Sequence, residues 1–199
     1  MIKAVLFDFG GVLAEEGFRK GLMLIAEKNG LDPSQVFKTA EELIYDTGYV
    51  LGLTDEFSYL NALRKMTGIR EDNKTIKEEV LGRFVLRPEI LKIVGGLRKS
   101  GLITAILSDQ TNWLEELNEK TPFFHHFDYV FNSFHLKKGK RDSSIFRDVS
   151  SLMNIRPQES VFIDDNIKNI ERAATEGLNV IHFRGMASFK EEMRVFVNI

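Results

Sequence analysis

Apolar residues fall along this chain in three rhythms. The first is the nearly unbroken run Ile2–Phe7, which stops at Asp8. Continuous rather than alternating apolar character predicts a strand covered on both faces, as in a parallel sheet. Asp8-Phe9-Gly10-Gly11 then forms a glycine-bearing loop at its carboxyl end. The second rhythm, from about Gly17 to Arg87, is helical. Phe18, Leu22, Ile25 and Ala26 recur at helical spacing, and Asp32-Pro33 reads as an N-cap followed by a first-turn proline. Thr54 is expected to cap a helix carrying Phe57, Leu60, Leu63 and Met66, ended by Gly68, with a further short helix over Thr75–Phe84. No strand is expected there.

From Pro88 onward the pattern alternates. Helix is predicted over Ile90–Lys99, strand over Leu102–Leu107, helix over Trp113–Glu119 and strand over Tyr129–Phe131. Helix Ser144–Met153, strand Ser160–Ile163, helix Ile167–Thr175 and strand Asn179–Phe183 complete the series. This βαβαβαβ order predicts an α/β fold with a doubly wound parallel sheet. Residues 1–16 and 88–199 would form the Rossmann-like core. Residues 17–87, too long for a plain loop, would form a small helical cap inserted after the first strand.

Composition narrows the function. With 199 residues the chain suits one domain carrying a sizeable insertion. A formal net charge of −2 advertises neither a nucleic-acid nor an anionic-membrane partner. The absence of cysteine removes disulfides, thiolate metal sites and cysteine nucleophiles. No apolar run reaches the roughly 18 residues of a membrane helix. The first residues lack a signal peptide's charged start and cleavage site, so a cytoplasmic location is expected. The pattern sets no oligomeric state.

Ligands of open α/β sheets bind at the carboxyl ends of the strands. Those ends carry Asp8, then Ser108 and Asp109, then Asp164 and Asp165, with Lys140 after the third strand. Three carboxylates at neighbouring strand ends call for a cation or a proton. An all-oxygen ligand set selects a hard ion, Mg²⁺ first. A lysine and a serine hydroxyl on the same rim suit a phosphate, and Gly10-Gly11 lets backbone N–H groups approach an anion. Together these residues suggest phosphoryl transfer through an aspartyl-phosphate. Each also has a plain structural reading: Asp8 as a turn residue, Ser108 likewise, Lys140 in a solvated basic run, Asp164-Asp165 as a helix cap. Their joint order at successive strand ends is what favours chemistry. His125-His126 reads as a polar loop, Trp113 as helix packing, and Phe123, Phe124, Phe127 and Phe131 as core or interface.

The segments VLFDFGGVLA and VFIDDNIKNIERAATEGL, with Ser108 and Lys140 between them, resemble the four motifs of the haloacid dehalogenase-like hydrolase superfamily. GLTDEFSYL (Gly52–Leu60) and Arg87–Glu89 resemble the cap segments of its sub-group of sugar-phosphate phosphatases and the soluble epoxide hydrolase phosphatase domain. The resemblance implies Asp8 as nucleophile and a phosphate held at Ser108 and its neighbours. It implies Lys140 as the charge-neutralising cation, with Lys138 as the second choice. Mg²⁺ would be held by Asp8, the Gly10 carbonyl and Asp165, with Asp164 as metal or water-shell partner. The substrate would be a small phosphorylated metabolite. The alternatives are a catalytically impaired phosphate- or Mg²⁺-binding protein and a metal-free 2-haloacid dehalogenase.

Three departures from the family pattern matter. Gly10 replaces the usual second aspartate, the general acid and base; Asp109 replaces a common asparagine; Arg141 replaces a common proline. Asp109 puts an anion near the phosphate unless it is protonated or turned away. The missing acid predicts a preference for aryl over alkyl phosphates unless the insert supplies a substitute such as Glu15. Gly10 is expected to need a backbone conformation reserved for glycine.

Overall fold

The computed structural model describes residues 1–197. The chain begins with β1 (Ala4–Phe7), then runs through α1 (Gly17–Lys28), α2 (Pro33–Asp46), α3 (Glu56–Thr67) and α4 (Asn73–Leu81). It continues with α5 (Pro88–Lys99), β2 (Ile103–Ser108), α6 (Trp113–Lys120), β3 (Tyr129–Asn132) and α7 (Ser133–Leu136). Last come α8 (Ile145–Leu152), β4 (Ser160–Asp164), α9 (Ile167–Thr175), β5 (Asn179–His182) and α10 (Met186–Phe196).

The five strands form one parallel sheet in the order β3-β2-β1-β4-β5. β1 lies at the centre, and all four of its residues are buried. Successive side chains go to opposite faces. Val5 and Phe7 join Ile106, Ile163 and Ile181 on one face, while Ala4 and Leu6 join Ala105, Leu107 and Phe162 on the other. This two-sided burial is why the strand reads as a continuous apolar run. Truncating such a core phenylalanine costs about 3–5 kcal/mol. Phe7 stands in register with both Ile106 and Ile163, so Asp8, Ser108 and Asp164 leave the sheet at one edge.

The four helices between β1 and the rest pack around a second apolar cluster that includes Leu22, Ile25, Tyr59, Leu60, Leu63 and Val80. α1 lies hard against α4: a Cβ at Gly21 would sit 2.6 Å from Val80 Cα. Trp113 from α6 enters the same cluster and donates its indole N–H to Glu56 at 2.6 Å, so the indole packs, as expected.

Two short rails connect these helices to the sheet. Ala14 bridges Leu86, the Glu15 N–H donates to Val85 O at 2.8 Å, and the Arg87 N–H donates to Leu13 O at 2.8 Å. The Arg87 guanidinium closes the joint. Its Nη1 donates to the carbonyls of Gly11, Val12 and Ala14 at 2.7, 2.8 and 2.9 Å.

Several local expectations change. Asp55, not Thr54, caps α3, because its carboxylate accepts from the Ser58 N–H at 2.7 Å. Gly68 ends that helix in the left-handed conformation, as expected. Phe57 and Met66 face solvent at 69% and 64% exposure; Tyr59, Leu60 and Leu63 make the inward face. α10 was not foreseen, and it buries Phe189 and Met193 against Phe7 and Phe183. Gly11, at φ +81°, rather than Gly10, has the backbone that favours glycine.

Candidate active site

At the carboxyl edge of the sheet, one oxygen of each of Asp8, Asp164 and Asp165 lies within 4.8 Å of the others. This is the only such cluster of acidic or histidine side chains among the described residues. Lys140 Nζ reaches in to 2.9 Å from Asp8 Oδ1 and 2.7 Å from Asp164 Oδ2. The lysine is only 2% exposed, and Asp164 not at all. Burial opposes the lysine's charge, but Asp164, Asp8 and Asp109 outweigh it and hold the ammonium protonated well above its ordinary range. Lys138, the second choice, pairs instead with Asp148 Oδ2 at 2.6 Å and Ser144 Oγ at 2.9 Å.

Asp8 follows β1 directly, and its N–H still donates to Ile163 O at 2.9 Å. Its Oδ1 also accepts from the Phe9 N–H at 2.7 Å, so one oxygen is tied by two donors and Oδ2 is the oxygen left for other contacts. Burial lifts the Asp8 carboxyl well above the usual carboxylate range; Lys140 pulls it down, and Asp164 and Asp165 push it up.

Asp164 is occupied on both oxygens. Oδ1 accepts from the Asn166 N–H at 2.7 Å, and Oδ2 takes Lys140 together with the Asn169 Nδ2 amide at 3.1 Å. Its geometry is that of an anchor for the lysine. Asp165, one residue on, sits exposed at the rim. Gly11 passes so close that a Cβ there would lie 2.1 Å from Asp165 Oδ2. The glycine therefore makes room for an acid, in addition to its positive φ.

Asp109 turns from the cluster. Its Oδ1 and Oδ2 accept from the Lys140 backbone N–H at 2.8 and 3.0 Å, and Oδ2 also accepts from the Tyr45 hydroxyl. A carboxylate so engaged offers no donor to a phosphate. Instead it fixes the backbone that delivers Lys140 and ties the sheet edge to α2. Arg141 stacks its guanidinium over the Tyr45 ring at 3.4 Å, which explains an arginine at that place. Ser108 is buried at the end of β2 and lines the same cleft as Asp8, Gly10, Lys140 and Asp165.

That cleft has a volume of about 1000 Å³ and runs from the sheet edge to α2. Three carboxylates against one ammonium leave the cluster at its floor net negative. With oxygen ligands only, these residues fit a hard divalent cation such as Mg²⁺.

Glu15 does not enter the cleft. It pairs with Lys20 at 2.5 Å and Arg87 at 2.9 Å. Its neighbour Glu16 lines the cleft instead. Sequence reasoning also missed Arg87, Tyr45 and Asn169, none of which lies at a strand end. For Asn169 a signal existed: in the DDNIKN run it falls five residues after Asp164, in the first turn of α9, on the side facing that acid.

Known proteins resemble this chain in sequence and in fold. Residues 2–177 match the sequence model of the haloacid dehalogenase-like hydrolases. The D-ribitol-5-phosphate phosphatase of Bacteroides thetaiotaomicron is 26% identical over an alignment covering 100% of both chains. The bifunctional epoxide hydrolase 2 of Rattus norvegicus is 26% identical over 128 residues, which are 61% of this chain but 23% of that much longer protein. In fold, the chain superposes with TM-score 0.72 on a haloacid dehalogenase family enzyme of B. thetaiotaomicron solved with magnesium and inorganic phosphate. That pair shares 23% identity, covering 91% of this chain and 93% of the other. The L-2-haloacid dehalogenase of Xanthobacter autotrophicus superposes with TM-score 0.68 at 18% identity, covering 98% and 83%. No helix among the described residues is long and apolar enough to cross a membrane.

Proposed function

The chain belongs to the haloacid dehalogenase-like hydrolases, and from that premise we propose that it is a Mg²⁺-dependent phosphohydrolase acting on a small phosphorylated metabolite through an aspartyl-phosphate on Asp8. The observation that carries this reading is Lys140, buried between Asp8 and Asp164 beneath an open cleft with a third acid at the rim. The full-length relative named as a D-ribitol-5-phosphate phosphatase supports a phosphorylated polyol or sugar as the substrate class. The rimward acid Asp165 disfavours a metal-free dehalogenase, since it would leave an uncompensated negative charge beside a carboxylate substrate.

In this reading Asp8 Oδ2 attacks phosphorus, because Oδ1 is already held by the Phe9 N–H and Lys140. Lys140 stabilises the charge gathering on the transferred group, and Asp164 keeps the ammonium aimed and protonated. Ser108 binds a phosphate oxygen. Mg²⁺, held by Asp8, the Gly10 carbonyl and Asp165, would supply further charge neutralisation of the phosphoryl oxygens. Residues 17–87 act as the cap that covers the cleft and selects the leaving group.

The test is a screen of phosphorylated metabolites with Mg²⁺ and with EDTA, on wild type and Asp8→Asn. Turnover that requires Mg²⁺ and falls at least about 1000-fold in Asp8→Asn is expected. Beryllofluoride should bind at the carboxylate of wild type and not at the amide. Undiminished turnover in Asp8→Asn would refute the nucleophile, and turnover unaffected by EDTA would refute the metal.

A further inference from the structure

Gly10 leaves the reaction without the acid that the family pattern places two residues after the nucleophile. The chain puts another carboxyl beside that position. An ideal Cβ on Gly10 would lie 3.7 Å from Glu16 Oε1, with Phe84 Cε1 at 3.5 Å on the other side. A carboxylate carried at position 10 would therefore reach into the space beside Glu16 Oε1.

The two oxygens of Glu16 have separate situations. Oε2 is the N-cap of α1 and accepts from the Arg19 N–H at 2.7 Å. Oε1 is the atom beside the empty Cβ position, in the cleft that Asp8, Ser108 and Lys140 also line. The cap hydrogen bond therefore immobilises the group without occupying the oxygen that faces the site. Glu15 cannot take this role, because Lys20 and Arg87 hold it on the outer side of the rail.

We propose that Glu16 is the general acid and base of the reaction, standing in, from the residue just before the insert, for the aspartate that Gly10 replaces. The inference rests on the phosphohydrolase reading above. In the first step a bond forms between Asp8 Oδ2 and phosphorus, the bond from phosphorus to the leaving oxygen breaks, and the Glu16 proton passes to that oxygen. In the second, Glu16 as carboxylate takes a proton from water. The water oxygen bonds to phosphorus, the Asp8–phosphorus bond breaks, and Asp8 and protonated Glu16 are restored. Burial raises the Glu16 carboxyl above the ordinary carboxylate range, the direction that a proton donor needs.

The role predicts that this protein hydrolyses alkyl as well as aryl phosphates, unlike a site with no proton donor. The test compares kcat/KM for p-nitrophenyl phosphate and for an alditol phosphate, with Mg²⁺, in wild type and Glu16→Gln. Glutamine keeps a side-chain oxygen to accept from the Arg19 N–H, so the start of α1 survives. An aryl leaving group departs as a stable anion and an alkoxide does not. The alkyl-to-aryl ratio of kcat/KM should therefore fall about 30-fold or more in Glu16→Gln, within the range of a positioned general acid. Gly10→Asp added to Glu16→Gln should recover most of that ratio. Gly10 lacks a positive φ, and a Cβ there meets nothing closer than 3.5 Å.

Equal losses on both esters would overturn the proposal and leave Glu16 only a helix cap. So would an unchanged ratio. A wild type that hydrolyses no phosphate ester of the panel overturns the phosphohydrolase reading and this role with it. Wild-type turnover with an unaltered ratio in the variant overturns this role alone.

Discussion

Two lysines in this protein each sit between two carboxylates at nearly the same distances. Lys140 meets Asp164 at 2.7 Å and Asp8 at 2.9 Å, while Lys77 of α4 meets Glu116 at 2.7 Å and Glu56 at 2.8 Å. Burial separates them: the Lys140 side chain is 2% exposed and that of Lys77 is 22% exposed. Burial opposes the Lys77 charge and its two glutamates restore it, so both ammoniums are held above their ordinary range. At Lys77 water remains to screen the charges, and the triad tethers the helical insert to α6. At Lys140 the ammonium and Asp164 are shut off from solvent, so screening is weak, and removing any member leaves the others uncompensated. Nearly equal distances therefore make a fastening in one place and a charged working site in the other.

The largest expected effect comes from breaking the dry triad. Lys140→Met should lower metal-free stability by about 3–5 kcal/mol, because two buried carboxylates lose their cation. For a chain of this size that is a fall of roughly 6–20 °C in Tm, read by calorimetry in EDTA. A loss no larger than that of a surface lysine would remove the contrast. Next, a double-mutant cycle at Lys140 and Asp164 should return a coupling of about 2 kcal/mol or more, so that Lys140→Met with Asp164→Leu costs less than the sum of the single changes. The same cycle at Lys77 and Glu116 should return less than about 1 kcal/mol.

Smaller still, Lys77→Met should cost under about 1 kcal/mol in chemical denaturation, since its carboxylate partners stay solvated. Smallest is the effect of salt. Raising NaCl to about 1 M shortens the screening length to roughly 3 Å, and should erase the Lys77→Met difference while sparing most of the Lys140→Met one. Equal salt sensitivity at both positions would mean that Lys140 is wetter than its burial states.

The two lysines also mark how far the sequence could be read. Asp8, Ser108, Asp164 and Asp165 were legible because strand ends are visible in a string of letters: an apolar run stops and a polar residue follows. Lys140 was legible as one of a few basic residues in a single loop. Only the family resemblance distinguishes Lys140 from Lys138, two positions away, which faces Asp148. Arg87 and Tyr45 come from the insert and Glu16 from the residue just before it, and only packing sets what they face. Helix α3 was located but its face misjudged. Phe57 and Met66 are as apolar as Leu60 and Leu63, but the burial of Tyr59 decides which side turns inward. α10 escaped because its two buried residues, Phe189 and Met193, are spaced by one turn among mostly charged neighbours.

The Arg87 joint decides which motions are cheap. A body fastened to another by two adjacent rails, with a guanidinium pinning both to the loop behind Asp8, cannot slide. Once the Lys77 and Trp113 contacts to α6 release, it can only swing, like a door, with the rails as the hinge line. Points on a hinge line hardly travel, while points far from it sweep the widest arc. Glu16 is mounted on the outgoing rail; Tyr45, with its hold on Asp109, is out toward the free edge. Such a door can open to exchange one molecule for another without pulling the proton carrier away from Asp8. Changes in what the cleft admits can then accumulate along the free edge of α2 while the machinery at the hinge is left undisturbed.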